Sequence, residues 1–392
     1  MQRVELTTAG ESHGPGLTAT LTGMPAGLSL DMEFIQTELA RRQHGYGRGR
    51  RMQIETDEVE IRGGVRNAET LGSPIALWIP NRDFANWTDV MGPLAIDAKR
   101  AAARRLRAPR PGHADLAGGL KFHRQDLRDI LERASARESV ARVAAGAIAK
   151  LLLLVFGIEI RSGVRSLGSV GADAPSPRWQ DLLAMDDASP LRAIDATLEP
   201  EMTRLVDQAK ADGDTLGGRV TVIAHNVPTG LGSHVQWNEK LDGKLAQAVM
   251  SVPAVKGVEI GGAVTTSGLP GSQAHDPIDY AADRGGWRRT SNHAGGLEGG
   301  ISNGEDIVIT AFKKPISTLR EGLPSIDIDS LSPARGQYER SDVTALPAAG
   351  VIAESMVALV LADALLLKTG GDSIAEVSAH FKATQDLQAD WP

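Results

Sequence analysis

Four short stretches of this sequence occur twice, in the same order, about 200 residues apart. Met24-Pro25-Ala26-Gly27-Leu28 is echoed by Val227-Pro228-Thr229-Gly230-Leu231, and Val59-Glu60-Ile61-Arg62-Gly63-Gly64 by Val258-Glu259-Ile260 with two glycines. The apolar run Ile75 to Ile79 has a counterpart in Ile307 to Ala311. Val143-Ala144-Ala145-Gly146-Ala147-Ile148-Ala149 has one in Pro347-Ala348-Ala349-Gly350-Val351-Ile352-Ala353. Ordered repetition of strand, turn and helix signals predicts two copies of one strand–helix–strand unit. The expected fold class is α+β: internally duplicated β-α-β units, with mixed or antiparallel sheets sandwiched with helices. One domain spans residues 1–392, with halves at approximately 1–157 and 211–370 and a connector over 158–210. A cleft between such halves is a usual place for a ligand.

Within the first half, residues 3–9 and 17–23 read as strands flanking Gly10-Glu11-Ser12-His13-Gly14. A helix is expected from Met32 to Arg42, with Asp31 as N-cap and Phe34, Ile35 and Leu39 on its apolar face. Gly45 to Arg51 is a glycine and arginine loop, residues 52–62 alternate as a strand, and Ile75 to Ile79 form another. Residues 80–127 are rich in Pro, Gly and Arg without clear periodicity; a loop of that length suits an active-site cover or an interface. A long helix is expected from Leu127 to Phe156. The second half carries a strand at Val220 to Ala224, a helix at Asn238 to Val252 and the long helix containing Pro347 to Ala353.

The chain has no cysteine, which excludes disulfides and thiolate chemistry and fits a cytoplasmic setting. Apolar runs are interrupted by Lys150, Glu354 and Asp363, and none reads as a membrane span. A formal net charge of −7 and only 4% aromatic residues speak against a nucleic-acid partner, although Lys99 to Arg110 and Arg41 to Arg51 are basic. Local arginine clusters in an acidic chain suit a small polyanionic metabolite. Such clusters occur at Arg42 and Arg48, at Arg107 and Arg110, and at Arg133 and Arg137, which are expected four apart on one helical face. His13 and His113 sit on glycine-flanked turns and are candidates for proton transfer. Neither has metal-ligand spacing, and no metal is expected. The glycine-rich stretch Ser291 to Gly304 leads through a strand into Lys314-Pro315-Ile316-Ser317-Thr318, which together suggest a phosphate clamp. Arg340-Ser341-Asp342 precedes the last long helix, and Asp342 is a candidate base.

These blocks, Gly10 to Gly14, Arg42 to Arg48, Arg110 to Asp115, Glu132 to Glu138, Gly295 to Gly304, Lys314 to Thr318 and Arg340 to Asp342, resemble those of the chorismate synthase family. The resemblance implies a lyase of the shikimate pathway, which makes aromatic amino acids. That enzyme converts 5-enolpyruvylshikimate 3-phosphate into chorismate and phosphate by 1,4-trans elimination, with reduced FMN and no net redox change. By position, His13 matches the residue that protonates the departing phosphate, and His113 the one that keeps the reduced flavin suitably protonated. Asp342 matches the carboxylate that helps remove the ring proton. Arg133, Ala134, Ser135, Pro253, Ala254, Gly300, Lys314, Pro315, Ile316, Ser317, Thr318 and Arg340 match FMN-binding positions. At Pro253 many relatives carry a polar side chain, so only backbone and packing remain there. Arg42 and Arg48 match anion-binding arginines assigned to substrate or NADPH, and Arg137 joins that set. The resemblance also implies a homotetramer. Nothing in the sequence resembles an added reductase domain, so an external flavin reductase is the expected partner, with NADPH a possible source of its electrons. An NADPH-linked flavin reductase is the competing enzyme reading.

Overall fold

The computed structural model describes residues 3–48, 57–186, 188–281, 286–339 and 342–391. Strands β1 (Glu5–Ala9) and β2 (Gly16–Thr22) form a hairpin whose connection carries His13. Helix α1 (Met32–Gln43) follows. Asp31 caps it, its carboxylate accepting the amide N–H groups of Glu33 at 2.9 Å and Phe34 at 3.1 Å, a cap worth about 1 kcal/mol. Strands β3 (Glu60–Gly63) and β4 (Ile75–Pro80) complete a four-stranded antiparallel sheet in the order β1-β2-β4-β3. The strand expected over 52–62 is therefore shorter. Residues 52–56 lie outside the described residues, and Asp57, buried beside two arginines, precedes the paired segment.

The stretch 80–127 has more structure than its composition suggests. It holds helical turns at Arg82–Asn86, Thr88–Met91 and Ala98–Ala103, then helix α2 (Asp115–Phe122). The single helix expected from Leu127 to Phe156 is instead α3 (Arg128–Ala134), a 3-10 turn at Ala136–Glu138, and α4 (Ser139–Val155). Ser135 makes the break. Its backbone is extended, and its hydroxyl accepts the Arg137 amide N–H, a local bond that competes with helix continuation.

Strand β5 (Glu159–Leu167) falls inside the stretch read as a connector, yet it is the first strand of the second sheet. Helix α5 (Glu199–Asp212), strand β6 (Gly218–His225), helix α6 (Leu241–Met250), strands β7 (Val255–Ile260) and β8 (Ile307–Lys313), and helices α7 (Leu346–Thr369) and α8 (Ile374–Ala389) follow. The second sheet is also antiparallel, in the order β5-β6-β8-β7. Matched strand for strand, the two sheets have one topology.

Helix α4 packs on the first sheet, α7 packs on the second, and the two helices pack on each other. Gly146 permits this. A Cβ there would stand 2.3 Å from the Cβ of Ser355. Ile148, Leu152, Val351 and Leu365 are fully buried, each contributing about 1.5–3 kcal/mol. Charges are buried here as well. Glu354 accepts hydrogen bonds from both Arg41 guanidinium nitrogens at 2.8 and 2.9 Å, from Ser162 Oγ at 2.5 Å and from the Lys150 ammonium, which also reaches Glu38. Helix α7 is long and apolar enough to cross a membrane, but 83% of its most apolar window is buried in the protein, so it is a core helix.

Candidate active site

Helices α2 and α3 form an antiparallel hairpin in which Ile130 packs on Gly118 and Leu127 on Gly119. The start of α2 and the end of α3 therefore lie together. Each end presents a buried carboxylate, Asp115 on α2 and Glu132 on α3. Each carboxylate holds one of the two histidines.

His13 is buried on the β1–β2 connection. Its Nδ1 lies 2.9 Å from both Glu132 oxygens, and its backbone N–H donates to Glu132 at 2.7 Å. One face of the ring packs on Trp87, with centroids 3.9 Å apart, and the Arg104 guanidinium lies 4.1 Å from the Trp87 ring. Burial alone would raise the Glu132 pKa, but hydrogen bonding to His13 and the nearby Arg128 hold it below the usual carboxylate range. An ionised Glu132 requires the proton on Nδ1, so Nε2 points away from the carboxylate.

His113 repeats the arrangement. Its Nδ1 is 2.5 Å from Asp115, which also accepts the Arg110 Nε at 2.8 Å and backbone N–H at 3.0 Å. Burial opposes ionisation of Asp115, yet His113 and Arg110 keep its pKa well below the ordinary value. Arg110 then donates to Thr318 Oγ at 3.0 Å, and Lys314 Nζ donates to the Gly112 carbonyl at 2.9 Å. Lys314 to Thr318 and the His113 turn are thus one structure. Pro253 and Ala254 join it, because the Ala254 carbonyl accepts the Lys314 amide N–H at 2.9 Å. Ala254 holds φ +69°, a left-handed backbone that costs free energy outside glycine.

Arg42 and Arg137 converge on buried Asp57, while Arg48 pairs with Asp342 at 3.1 Å. Arg42 and Arg137 outweigh the effect of burial and lower the Asp57 pKa. Burial lowers that of Arg48, with Arg42 adding repulsion. Arg42 Nε and Arg48 Nε are buried with no acceptor among the described residues. This cluster joins His13 through Ser135, whose hydroxyl accepts the Arg137 N–H at 3.3 Å and donates to Ser12 Oγ at 3.1 Å. It joins the Lys314 stretch through Lys313, which is 7% exposed and near both Asp342 and Arg48.

Three expectations change. Arg133 and Arg137 do not share a helical face, because the break at Ser135 separates them. Arg133 reaches back to Thr8 at 2.8 Å and Gly10 at 3.3 Å, partly exposed. The glycine stretch does not build one clamp with Lys314 to Thr318. Gly295 and Gly296 bond beside Ile307, and Gly300 meets Leu241, whereas Lys314 lies past the other end of β8, roughly 20 Å away along a seven-residue strand. Of the two turn arginines, Arg110 is buried in the site and Arg107 is exposed. Arg340 lies outside the described residues.

Trp87, Asp57 and Lys313 escaped the sequence reading of the site, and Asp115 and Glu132, though inside the matched blocks, were given no role. His113-Ala114-Asp115 carried a signal, since two residues on a turn can return to the same imidazole. Nothing signalled the pairing of Glu132 or Trp87 with His13, because those contacts span 119 and 74 residues of sequence.

The chorismate synthase family profile matches residues 4–366. Among curated relatives, chorismate synthase of Pelobacter propionicus is 53% identical over 381 residues, covering 96% of each chain, and that of Geobacter sulfurreducens is 51% identical over the same length. A crystal structure of chorismate synthase superposes over the whole of both chains with a TM-score of 0.80 at 40% identity. The chain belongs to the chorismate synthase family. It is accordingly an enzyme of the lyase class, acting on a small-molecule substrate, and the family requires a flavin.

Proposed function

We propose that this site carries out the family reaction, 1,4-elimination of phosphate from 5-enolpyruvylshikimate 3-phosphate, with His13, His113 and Asp342 as its proton-handling groups. The observation that carries the assignment is the common end of the α2–α3 hairpin. It holds two imidazoles by two buried carboxylates, beside a cluster of arginines with buried donors that have no acceptor among the described residues. The substrate bears a phosphate and two carboxylates, and guanidinium forks suit both kinds of group.

The residues fit reduced FMN as the cofactor. Lys314, Ser317 and Thr318 place an ammonium and two hydroxyls at the His113 turn, and the strained Ala254 backbone lies against them. Reduced FMN, when bound, supplies the redox-active ring that the elimination requires, without net oxidation. His113, tied at Nδ1 to Asp115, directs Nε2 toward that ligand. His13, tied at Nδ1 to Glu132, directs Nε2 toward the phosphate as it leaves and delivers the proton. Asp342, held by Arg48, shares in taking the ring proton. Arg42, Arg48 and Arg137 orient the substrate's anionic groups. We further infer that reduced flavin comes from a separate NADPH-dependent reductase and that the chain assembles as a homotetramer. The exposed aromatics Tyr280, Trp287 and Trp391 suit such assembly.

The test is an anaerobic assay with photoreduced FMN and 5-enolpyruvylshikimate 3-phosphate. Chorismate and phosphate should form in equal amounts while the flavin ends reduced. Stoichiometric flavin oxidation, or no chorismate, would reject the proposal.

A further inference from the structure

Two lysines among the described residues are more than nine-tenths buried, and they differ in company. Lys150 is 5% exposed and is met by the carboxylates of Glu38 and Glu354. Lys313 is 7% exposed, and among the described residues its ammonium has neither a carboxylate within 4 Å nor a hydrogen-bond acceptor. It ends β8, where the pairing with β7 shifts register between Phe312 and Lys313, Phe312 facing Gly257 and Lys313 facing Val255. The charges that act on it are Asp342, Lys314 and Arg48. Arg48 already pairs with Asp342 and has a buried Nε with no acceptor among the described residues. On the neighbouring strands, Arg219 is turned away to Ser166, and Lys256 acts on Lys314. Among the described residues no carboxylate other than Asp342 acts on this ammonium, so keeping it charged in the fold is costly until an anion arrives.

We propose that Lys313 binds an anionic oxygen of the substrate, completing the corner formed by Arg48, Asp342 and Lys314. This rests on the reading of the site given above. It adds a specificity-determining residue to that site, immediately before the Lys314 to Thr318 stretch. Burial lowers the ammonium pKa to about 8, with Asp342 partly opposing and Lys314 and Arg48 adding to the shift. A bound anion favours the protonated form, so substrate binding should weaken as the pH rises through this range.

The experiment uses oxidised FMN, with which the enzyme does not turn over. 5-Enolpyruvylshikimate 3-phosphate is titrated into the FMN complex of wild type, Lys313→Met and Lys313→Arg between pH 6.5 and 9.5, following flavin fluorescence, and FMN is titrated separately. At pH 7, Lys313→Met should bind substrate about tenfold or more weaker, the loss of one charge-assisted contact, with FMN affinity unchanged. Wild-type affinity should fall above pH 8, and Lys313→Arg should bind well without that fall. Substrate affinity equal to wild type in Lys313→Met, or loss confined to FMN, overturns the role given to Lys313. Failure of wild type to bind the substrate at all overturns the site assignment itself.

Discussion

Arg41 and Arg42 are neighbours on α1, yet they serve two buried charge clusters built on opposite principles. Arg41 turns to the interface of α1, α4 and α7. There Glu38 and Glu354 meet Arg41, Lys150 and Arg192, and Ser162 supplies a further donor. Arg42 turns to Asp57, where Arg48, Arg137 and Lys313 crowd around two carboxylates. The first cluster sets three cations against two carboxylates, each cation within 4 Å of one of them, and holds two layers together. The second sets four cations against two carboxylates and has buried donors with no acceptor among the described residues. A buried charge that is paired within the chain belongs to the fold, and one left unpaired awaits a ligand.

That contrast can be broken by mutation. The largest effects should be on rate. His13→Ala and Asp342→Asn should each lower kcat by about 10²–10⁴-fold, and His13→Ala should melt near wild type by calorimetry, because Arg128 still pairs with Glu132. A large fall in stability of His13→Ala would give His13 a role in holding the fold. Next, Glu354→Gln removes one of the two carboxylates that Arg41 and Lys150 share, leaving Glu38, and should cost about 3–5 kcal/mol in urea unfolding, while kcat per folded molecule stays close to wild type.

The acid limb of stability sharpens the same point. Burial would raise the Glu354 pKa, but Arg41, Lys150 and Arg192 hold it well below the ordinary value of 4.5. A depressed carboxyl adds stability above its unfolded pKa and loses it as pH falls toward the folded value. Wild type should therefore lose stability below about pH 4.5 more steeply than Glu354→Gln. Equal slopes would mean that the cluster is not ionised in the fold.

Lys313→Met should act in the opposite sense. Its ammonium pKa falls from 10.5 to about 8 on folding, so removing it should stabilise the ligand-free protein by on the order of 3 kcal/mol at neutral pH. Between pH 8 and 10.5 the unfolded chain binds this proton more tightly, so wild-type stability should rise with pH and the gap should narrow. The smallest effect is at the exposed Arg100–Asp89 pair, where Arg100→Ala should cost less than about 1 kcal/mol.

Much of the fold was legible because it repeats. The shared strand order of the two sheets matches the duplicated turn, strand and helix signals. Strand β5 was missed because its counterpart β1 lies before the first matched stretch, leaving its likeness to the opening hairpin unread. The long helix was over-extended because Ser135 has tolerable helix propensity, and only its hydroxyl contacts with Ser12 and Arg137 reveal the break. His13, His113 and Arg42 were visible through glycine turns and arginine spacing. Their carboxylate anchors were less so, since the pairing of Glu132 with His13 depends on how a hairpin folds over a distant loop. Arg41 and Arg42 differ only in the direction each leaves the helix, which a sequence shows only once the neighbouring layers are known.

The most direct measurement is calorimetric unfolding of wild type, Glu354→Gln and Lys313→Met, each with and without oxidised FMN and 5-enolpyruvylshikimate 3-phosphate. Glu354→Gln should melt lower than wild type and keep the full ligand-induced rise. Lys313→Met should melt higher without ligand and gain less from it. A Lys313→Met protein that melts below wild type, or that gains as much from the ligands, would contradict the division between paired and waiting charges.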